Sequence, residues 1–249
     1  MGVKIFDIKD IINYSKKYIS QNLNELNLLE LGEQEFKIFN EEFKDTLITN
    51  FLDKNPRKWP KKSPKGRIGV YSKDFLESIF NKVVSIDNVI SCKSSIKVNL
   101  INNLNTLNIE DLNQQYNIIT NFGTTEHVGQ YDNLFEHSQY NVFKNIHNLL
   151  KKEGILFNVV PAYDITNNKK HGAFNYTKLF FEDFANICNY KIIYNEVKNR
   201  GNILHVYCYL IKLDDKPFIN KETFNKITGY YITKNATENI KKFYNNILF

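Results

Sequence analysis

Two histidines and a glutamate stand where acid–base chemistry could take place. Glu126 and His127 closely follow the apolar run 116–122, and His171 lies beyond the run 155–160. Histidine changes charge near neutral pH and can take a proton from a hydroxyl group. We predict that His127 is a general base, that Glu126 orients it or binds a hydroxyl, and that His171 is a second base or a lid contact. A hydrogen-bonded surface residue is the alternative for each histidine.

The same three residues offer the ligand types that bind divalent metal ions. A metal site built from Glu126, His127 and His171 therefore stays open, but we rank the metal-free arrangement above it and predict no metal. The three cysteines of the chain lie far apart and show no CxxC spacing. This pattern argues against both a disulfide framework and a zinc site.

A second group of residues, which stands at the ends of other apolar runs, suits a bound nucleotide. Gly32 permits close approach of the backbone to a ligand, and Asp87 suits the two hydroxyls of a ribose. Plain turn positions are the alternative for both residues. Glu33 and Glu35 follow Gly32 and add negative charge that would repel a pyrophosphate, so the sequence argues against NAD and FAD.

The apolar pattern predicts an α/β fold that brings these residues together. Strands are predicted at 27–32, 83–87, 96–100, 116–122, 155–160, 191–197 and 203–213. Helices are predicted at 7–20, from Gly32 through about Phe51, at 73–81, from Phe135 to a stop at Gly154, and after a cap at Thr177. Strands that alternate with helices indicate a mostly parallel sheet, and the short connection 198–202 predicts a terminal antiparallel hairpin. In such sheets ligands bind beyond the carboxyl ends of the strands.

Length and composition fit one globular domain. The chain has 249 residues, of which 42% are hydrophobic and 24% charged. We expect a single domain over 1–249, with an N-terminal helical cap at 1–25, a basic loop insertion at 52–70 and a C-terminal helical tail at 214–249. No run approaches the ~20 apolar residues of a membrane span, and the start lacks a signal-peptide pattern. We therefore expect a cytoplasmic protein with no membrane partner.

The basic loop carries much of the excess positive charge. Lys54 and Arg67 bound a stretch that holds seven basic residues and three prolines, in a chain of net charge +6. A solvated surface loop explains this stretch, and an anionic partner such as a phosphorylated substrate or a nucleic acid is the alternative. The chain has no Asn/Asp-Pro-Pro-Tyr signature and no RNA-binding motif, which argues against nucleic acid.

Over residues 26–213 the chain resembles the class I S-adenosylmethionine-dependent methyltransferases. The segment 28–32, Leu-Leu-Glu-Leu-Gly, is similar to the first motif of that family, and 149–156 resembles the segment that leads into its fifth strand. The terminal hairpin distinguishes this fold from ordinary nicotinamide-binding domains. Segments 121–128 and 171–176 further resemble a subgroup of bacterial surface-glycan and small-molecule methyltransferases, which implies a setting such as polysaccharide biosynthesis.

The resemblance implies a Rossmann-like, seven-stranded sheet with helices on both faces and S-adenosylmethionine as cofactor. It further implies methyl transfer to a small polar acceptor, such as a hydroxyl of a sugar or sugar nucleotide. The cofactor contacts are assigned to Glu30, Gly32, Gln34, Asp87, Asn99, Asn121, Gly123 and Thr124.

The chain departs from the family in its first motif, which normally reads GxGxG. Only Gly32 remains of that loop, and Asn99 rather than an acid would lie near the adenine. Two other functions therefore stay open: a non-catalytic binding module with a methyltransferase-like fold, or a nucleic-acid methyltransferase that uses the basic loop. The oligomeric state has no signal in the sequence.

Overall fold

A computed structural model describes residues 3–36, 70–87, 95–100, 112, 115–129, 135–163 and 172–232. The strands are β1 (Asn27–Leu31), β2 (Glu35–Phe36), β3 (Val70–Tyr71), β4 (Lys82–Asp87), β5 (Ser95–Lys97), β6 (Tyr116–Phe122), β7 (Leu150–Pro161), β8 (Phe174–Tyr176), β9 (Tyr190–Arg200), β10 (Ile203–Lys212) and β11 (Tyr230–Ile232). The α-helices are α1 (Ile5–Tyr18), α2 (Ser72–Leu76), α3 (Phe135–Leu149), α4 (Lys178–Cys188) and α5 (Lys221–Phe224). Leu23–Glu25 and Thr125–His127 are single 3-10 turns.

One seven-stranded sheet organises the fold, with the strand order β5-β4-β1-β6-β7-β10-β9. The first five of these strands are mutually parallel, whereas β10 pairs antiparallel with both β7 and β9. The predicted fold class, a mostly parallel sheet with a terminal antiparallel hairpin, is confirmed. Strand order reverses between β1 and β6, and in open α/β sheets ligands bind at the carboxyl ends of the strands at this point.

Helices cover both faces of the sheet, as predicted. Side chains alternate along each strand, so each face presents its own apolar layer. Residues of α1 and α2, among them Ile11 and Phe75, pack with Leu28 and Ile118 on one face. Residues of α3 and α4 pack on the other face with the alternate strand residues, such as Leu29 and Ile119. Among the described residues, no helix has the length and hydropathy that a membrane span requires.

The start of α4 follows its sequence signal. Thr177 Oγ1 accepts a hydrogen bond of 3.3 Å from the backbone N–H of Phe180, which confirms the predicted cap. The helix ends at Cys188, and its C-cap Asn189 adopts the left-handed conformation with φ 58°. Phe181 and Phe184 lie on its buried face, so α4 is fixed against the sheet by its aromatic residues.

The predicted stop of the long helix at Gly154 is wrong. The helix ends at Leu149, and β7 begins at once with Leu150. Gly154 lies where β7 bulges against β6, and a Cβ on it would come within 2.9 Å of the Asn117 carbonyl oxygen. The glycine is therefore needed for the close approach of two strands, and its sequence signal resembles that of a helix end.

Two further elements differ from expectation. The predicted helix after Gly32 is replaced at its start by β2, which pairs antiparallel with β3. Residues 37–51, and the basic loop except residue 70, lie outside the described residues. In the tail, where we expected helix, α5 has four residues and is followed by β11, which pairs with β8. The tail beyond residue 232 also lies outside the described residues.

Candidate functional site

The carboxyl ends of β1 and β6 lie side by side at the switch point, the place where the strand order of the sheet reverses. Gly32 has φ +70°, and its N–H donates a 2.8 Å hydrogen bond to the Ile86 carbonyl of β4. Thr124 Oγ1 donates a 2.6 Å hydrogen bond to the Leu31 carbonyl, and a Cβ on Gly32 would collide with this hydroxyl. The predicted residues Gly32 and Thr124 are thus in contact, and only glycine fits at the first of them.

Asp87 lies beside this junction at the end of β4. Its Oδ2 accepts a 3.1 Å hydrogen bond from the backbone N–H of Glu33, while its carbonyl accepts a 2.7 Å bond from the N–H of Val98. Asn99 follows Val98, so the structure brings Gly32, Asp87 and Asn99 to one edge of the sheet. A carboxylate has about four acceptor positions, so Asp87 can bind ligand hydroxyls as well as Glu33.

Glu30 is a buried residue of β1, and its hydrogen bonds support the loop that follows this strand. Its carboxylate accepts hydrogen bonds from Ser72 Oγ and, at 2.6 Å, from Ser85 Oγ. Ser72 also donates its N–H to the Gln34 carbonyl at 3.0 Å, and the Gln34 amide donates to the Gly32 carbonyl at 3.3 Å. Burial raises the pKa of Glu30 to about 7. These contacts explain Glu30 and Gln34 as supports of the loop, and direct cofactor contact stays a prediction for both.

A buried polar network fixes the turn after β6. The Asn121 amide donates to Thr125 Oγ1 at 2.9 Å and to Asn158 Oδ1 at 3.0 Å, and Asn121 Oδ1 accepts from the Thr125 N–H at 3.2 Å. Tyr176 OH donates to Gln139 Oε1 at 2.6 Å, and the Gln139 amide donates to the Thr125 carbonyl at 3.0 Å. Residues from β6, β7, β8 and α3 therefore hold this turn in one conformation.

Glu126 and His127 lie in this turn, which starts at Gly123 with φ +77°. Glu126 is fully buried, and burial raises the pKa of its carboxyl to about 8, so it is protonated at neutral pH. The side chain of His127 is 42% exposed, and its Nε2 lies 3.7 Å from Glu126 Oε1. The pair thus consists of the accessible imidazole of His127 and, beside it, the neutral and enclosed carboxyl group of Glu126.

The chain after β7 covers Glu126. The Ala173 N–H donates a 2.7 Å hydrogen bond to the Glu126 carbonyl, and a Cβ on Gly172 would lie 2.6 Å from Glu126 Cγ. His171 precedes this contact in the chain but lies outside the described residues, so its predicted role is not tested. Within the described ranges, no group of three or more His, Cys, Asp or Glu residues is arranged to hold a metal ion.

Three residues that help to build the site have no local signal in the sequence, and a fourth has only a partial one. Ser72, Ser85 and Gln139 reach the site from elements distant in the chain, and their roles follow only from how the sheet packs on the helices. Tyr176 lies in the segment 171–176 that carries the family resemblance, but its buried hydroxyl contacts could not be anticipated from that motif.

No protein-family model matches the chain, and no curated protein matches it. It is similar to a solved structure of the Burkholderia thailandensis 1,6-didemethyltoxoflavin-N1-methyltransferase, with 12% identity over 84% of each chain and a TM-score of 0.43. An rRNA methylase from Streptococcus thermophilus matches with 13% identity over 82% of this chain and 97% of that chain, at a TM-score of 0.39. A sugar N-methyltransferase from Streptoalloteichus matches with 7% identity over 90% and 82%, at a TM-score of 0.30.

These three proteins are named as methyltransferases, the class of enzyme that the sequence resembles. The first of the three structures contains bound 1,6-didemethyltoxoflavin and S-adenosylhomocysteine. At these identities and TM-scores the likeness carries no inference about function, which has to come from the strand ends and their side chains.

Proposed function

We propose that the protein is an S-adenosylmethionine-dependent methyltransferase that acts on a hydroxyl of a small polar acceptor, a sugar or sugar nucleotide. The observation that supports this most is the junction at the switch point. There Gly32 and Asp87 lie together at the ends of β1 and β4, in a parallel sheet closed by an antiparallel hairpin. Ordinary dinucleotide-binding sheets lack that hairpin.

The side chains at this junction suit a nucleoside without phosphates. Asp87 would accept hydrogen bonds from both ribose hydroxyls. Gly32 lets the ends of β1 and β6 pack together beside the ligand, because the Thr124 hydroxyl fills the space that a Cβ would take. Asn99 would lie near the adenine. Glu33 follows Gly32 directly, and its negative charge is tolerated by a sulfonium ligand, which is positively charged and carries no phosphate.

The turn after β6 suits the acceptor. Bound S-adenosylmethionine would supply a methyl group that transfers by direct displacement, so the protein mainly has to align the acceptor. His127 is accessible and can take the proton of the acceptor hydroxyl. Glu126, covered by Gly172 and Ala173, would orient the His127 imidazole or bind a hydroxyl of the acceptor. Because it is neutral at neutral pH, it adds no fixed charge beside the acceptor.

Calorimetric titration with S-adenosylmethionine and S-adenosylhomocysteine tests the cofactor. Both ligands should bind the wild type, and Asp87→Ala should weaken binding about tenfold or more, because two charged hydrogen bonds to ribose are lost. His127→Ala should leave both affinities nearly unchanged and abolish methyl transfer.

Asp214→Ala is the matched control, since Asp214 also accepts a hydrogen bond from a backbone N–H but lies far along the chain, after β10. It should bind both ligands as the wild type does. If neither ligand binds the wild type at millimolar concentration, the enzyme assignment fails and the non-catalytic binding module is favoured.

A further inference from the structure

The short ladder of β8 and β11 has two faces of different character. Tyr230 of β11 packs on Phe180 of α4, with ring centroids 5.6 Å apart, and thus faces the apolar core. Asn175 and Tyr231 are paired across the ladder. Because side chains alternate along a strand, these two residues face away from that core.

Tyr163 completes this outer face. Its ring stacks on that of Tyr231, with centroids 4.0 Å apart and 21° between the planes. The two residues remain 42% and 43% exposed. Asn175 Oδ1 is enclosed and accepts no hydrogen bond from the part of the chain that the structure describes. Once the Asn175 side chain rotates to expose this oxygen, a ligand hydroxyl that donates to it would offset the free-energy cost of leaving it unpaired.

The outer face lies on the acceptor side of the proposed site. Tyr163 follows the carboxyl end of β7, which runs parallel to β6, so it stands at the same edge of the sheet as His127. The Ala173 N–H donates to the Glu126 carbonyl at 2.7 Å, and the Tyr163 N–H donates to the Tyr176 carbonyl at 2.8 Å. Ala173 precedes β8 and Tyr176 ends it, so these two residues are at most about 10 Å apart. A glycoside can cover that distance.

We propose that Tyr163, Tyr231 and Asn175 form the acceptor subsite and bind a neutral pyranose ring. One face of the sugar packs on the exposed tyrosine rings, and a hydroxyl donates to Asn175 Oδ1. This inference rests on the proposed function, which places methyl transfer at His127.

The composition of the face favours a neutral sugar. Among the described residues of the face, 162–163, 174–176 and 230–232 include no charged side chain that could neutralise a phosphate or carboxylate. An aromatic surface with few polar groups is typical of small-molecule sites, and tyrosine combines a large apolar ring with a polar end. The pairing of two tyrosine rings with one amide fits a ring that has an apolar face and hydroxyl groups at its rim.

Saturation-transfer NMR with uncharged methyl pyranosides of glucose, galactose, mannose and N-acetylglucosamine tests this on the full chain without cofactor. At least one of them should bind the wild type. Tyr231→Phe should retain that affinity, whereas Tyr231→Leu should weaken it about fivefold or more, because the flat ring is lost and the apolar bulk is kept. Asn175→Ala should weaken it as well.

Tyr18→Leu is the matched control, because Tyr18 also stacks on a tyrosine, Tyr14, but lies on α1. It should bind the pyranoside as the wild type does. The inference is overturned if no pyranoside binds the wild type, or if Tyr231→Leu binds as well as Tyr231→Phe. Binding of uridine or adenosine in place of every pyranoside, with the same dependence on Tyr231, would assign the face to a nucleobase and overturn it too.

Calorimetry with S-adenosylhomocysteine on the same preparations separates this inference from the proposed function. If S-adenosylhomocysteine binds and no pyranoside does, only the subsite is wrong. If a pyranoside binds with the expected dependence on Tyr231 and S-adenosylhomocysteine does not bind, the subsite stands and the methyltransferase assignment fails. Thermal unfolding of each variant shows whether it is folded.

Discussion

At the scale of single residues, two buried carboxyl groups contribute to the pH response of the fold. Burial raises the pKa of Glu30 to about 7 and that of Glu126 to about 8. Between the usual value of 4.5 and these raised values, the unfolded chain has released protons that the folded chain still holds. Folding stability contributed by these groups therefore falls as pH rises through this window.

Glu126→Gln removes one of these titrations. We predict that the melting temperature of the wild type falls between about pH 5 and about pH 9, and that the fall is smaller in Glu126→Gln. At the upper pH the variant should be the more stable protein, because an uncharged amide replaces a carboxyl that has to ionise or hold its proton there. Glu25→Gln, on an exposed turn, should follow the wild-type profile. Parallel profiles of wild type and Glu126→Gln would contradict the raised pKa.

A comparison of Gly32 with Gly201 separates two ways in which an added Cβ destabilises the fold: steric crowding and a strained left-handed backbone. Gly32 and Gly201 both have φ close to +70°, but a Cβ on Gly201 would meet no atom within 4 Å. Gly201→Ala should cost about 1–2 kcal/mol of unfolding free energy from the left-handed conformation alone. Gly32→Ala should cost clearly more in urea denaturation, because it also displaces Thr124 from the Leu31 carbonyl. Equal losses would show that the two strand ends do not pack as described.

At the scale of elements, α1 is attached to the terminal hairpin by a buried ion pair. Arg200 at the end of β9 donates to both carboxylate oxygens of Asp7, at 2.9 and 2.7 Å, and to Tyr207 OH at 3.0 Å. Tyr209 of β10 donates to Asp10 Oδ2 at 2.6 Å. The helix was predictable from its apolar spacing, but its partner was not, because these contacts join residues almost two hundred positions apart.

Asp7→Asn should therefore be strongly destabilising. It leaves the Arg200 guanidinium buried beside a neutral amide, and we expect a loss of about 3–5 kcal/mol in chemical denaturation. The double variant Asp7→Leu/Arg200→Met should recover much of that loss, since no buried charge remains. Asp10→Asn keeps an acceptor for Tyr209 and should cost about 1 kcal/mol or less. If the double variant is no more stable than Asp7→Asn, the ion pair does not attach α1 to the terminal hairpin as described.

Some local sequence patterns predict an element reliably, whereas others fit more than one kind of element. Apolar runs located all the strands of the large sheet, and Thr177 marked the start of α4, because burial and capping are local properties. Gly154 was misread because a glycine at a strand bulge and a glycine after a helix look alike in sequence. The tail after β10 was read as helical, but β11 gains its hydrogen bonds from β8, a partner that no local pattern reveals.

At the scale of the whole molecule, the sequence predicted the sheet and the edge where ligands should bind. It could not predict which candidate residues are buried in hydrogen-bond networks and which remain accessible to a ligand. Asn121 is committed to a buried network with Thr125 and Asn158, whereas Asp87 and His127 lie at the edge of the sheet with at least part of their surface accessible. That division depends on tertiary packing, which only the assembled sheet and helices define.

A crystal structure of the protein with S-adenosylhomocysteine tests the central claim most directly. We predict that both ribose hydroxyls lie within about 3.2 Å of the Asp87 carboxylate oxygens. The adenine should lie toward Asn99, and the sulfur should point toward His127. Density for the ligand at any other place would contradict the account, for example in the surface cavity between Lys73 and Val83 at the amino-terminal half of β4.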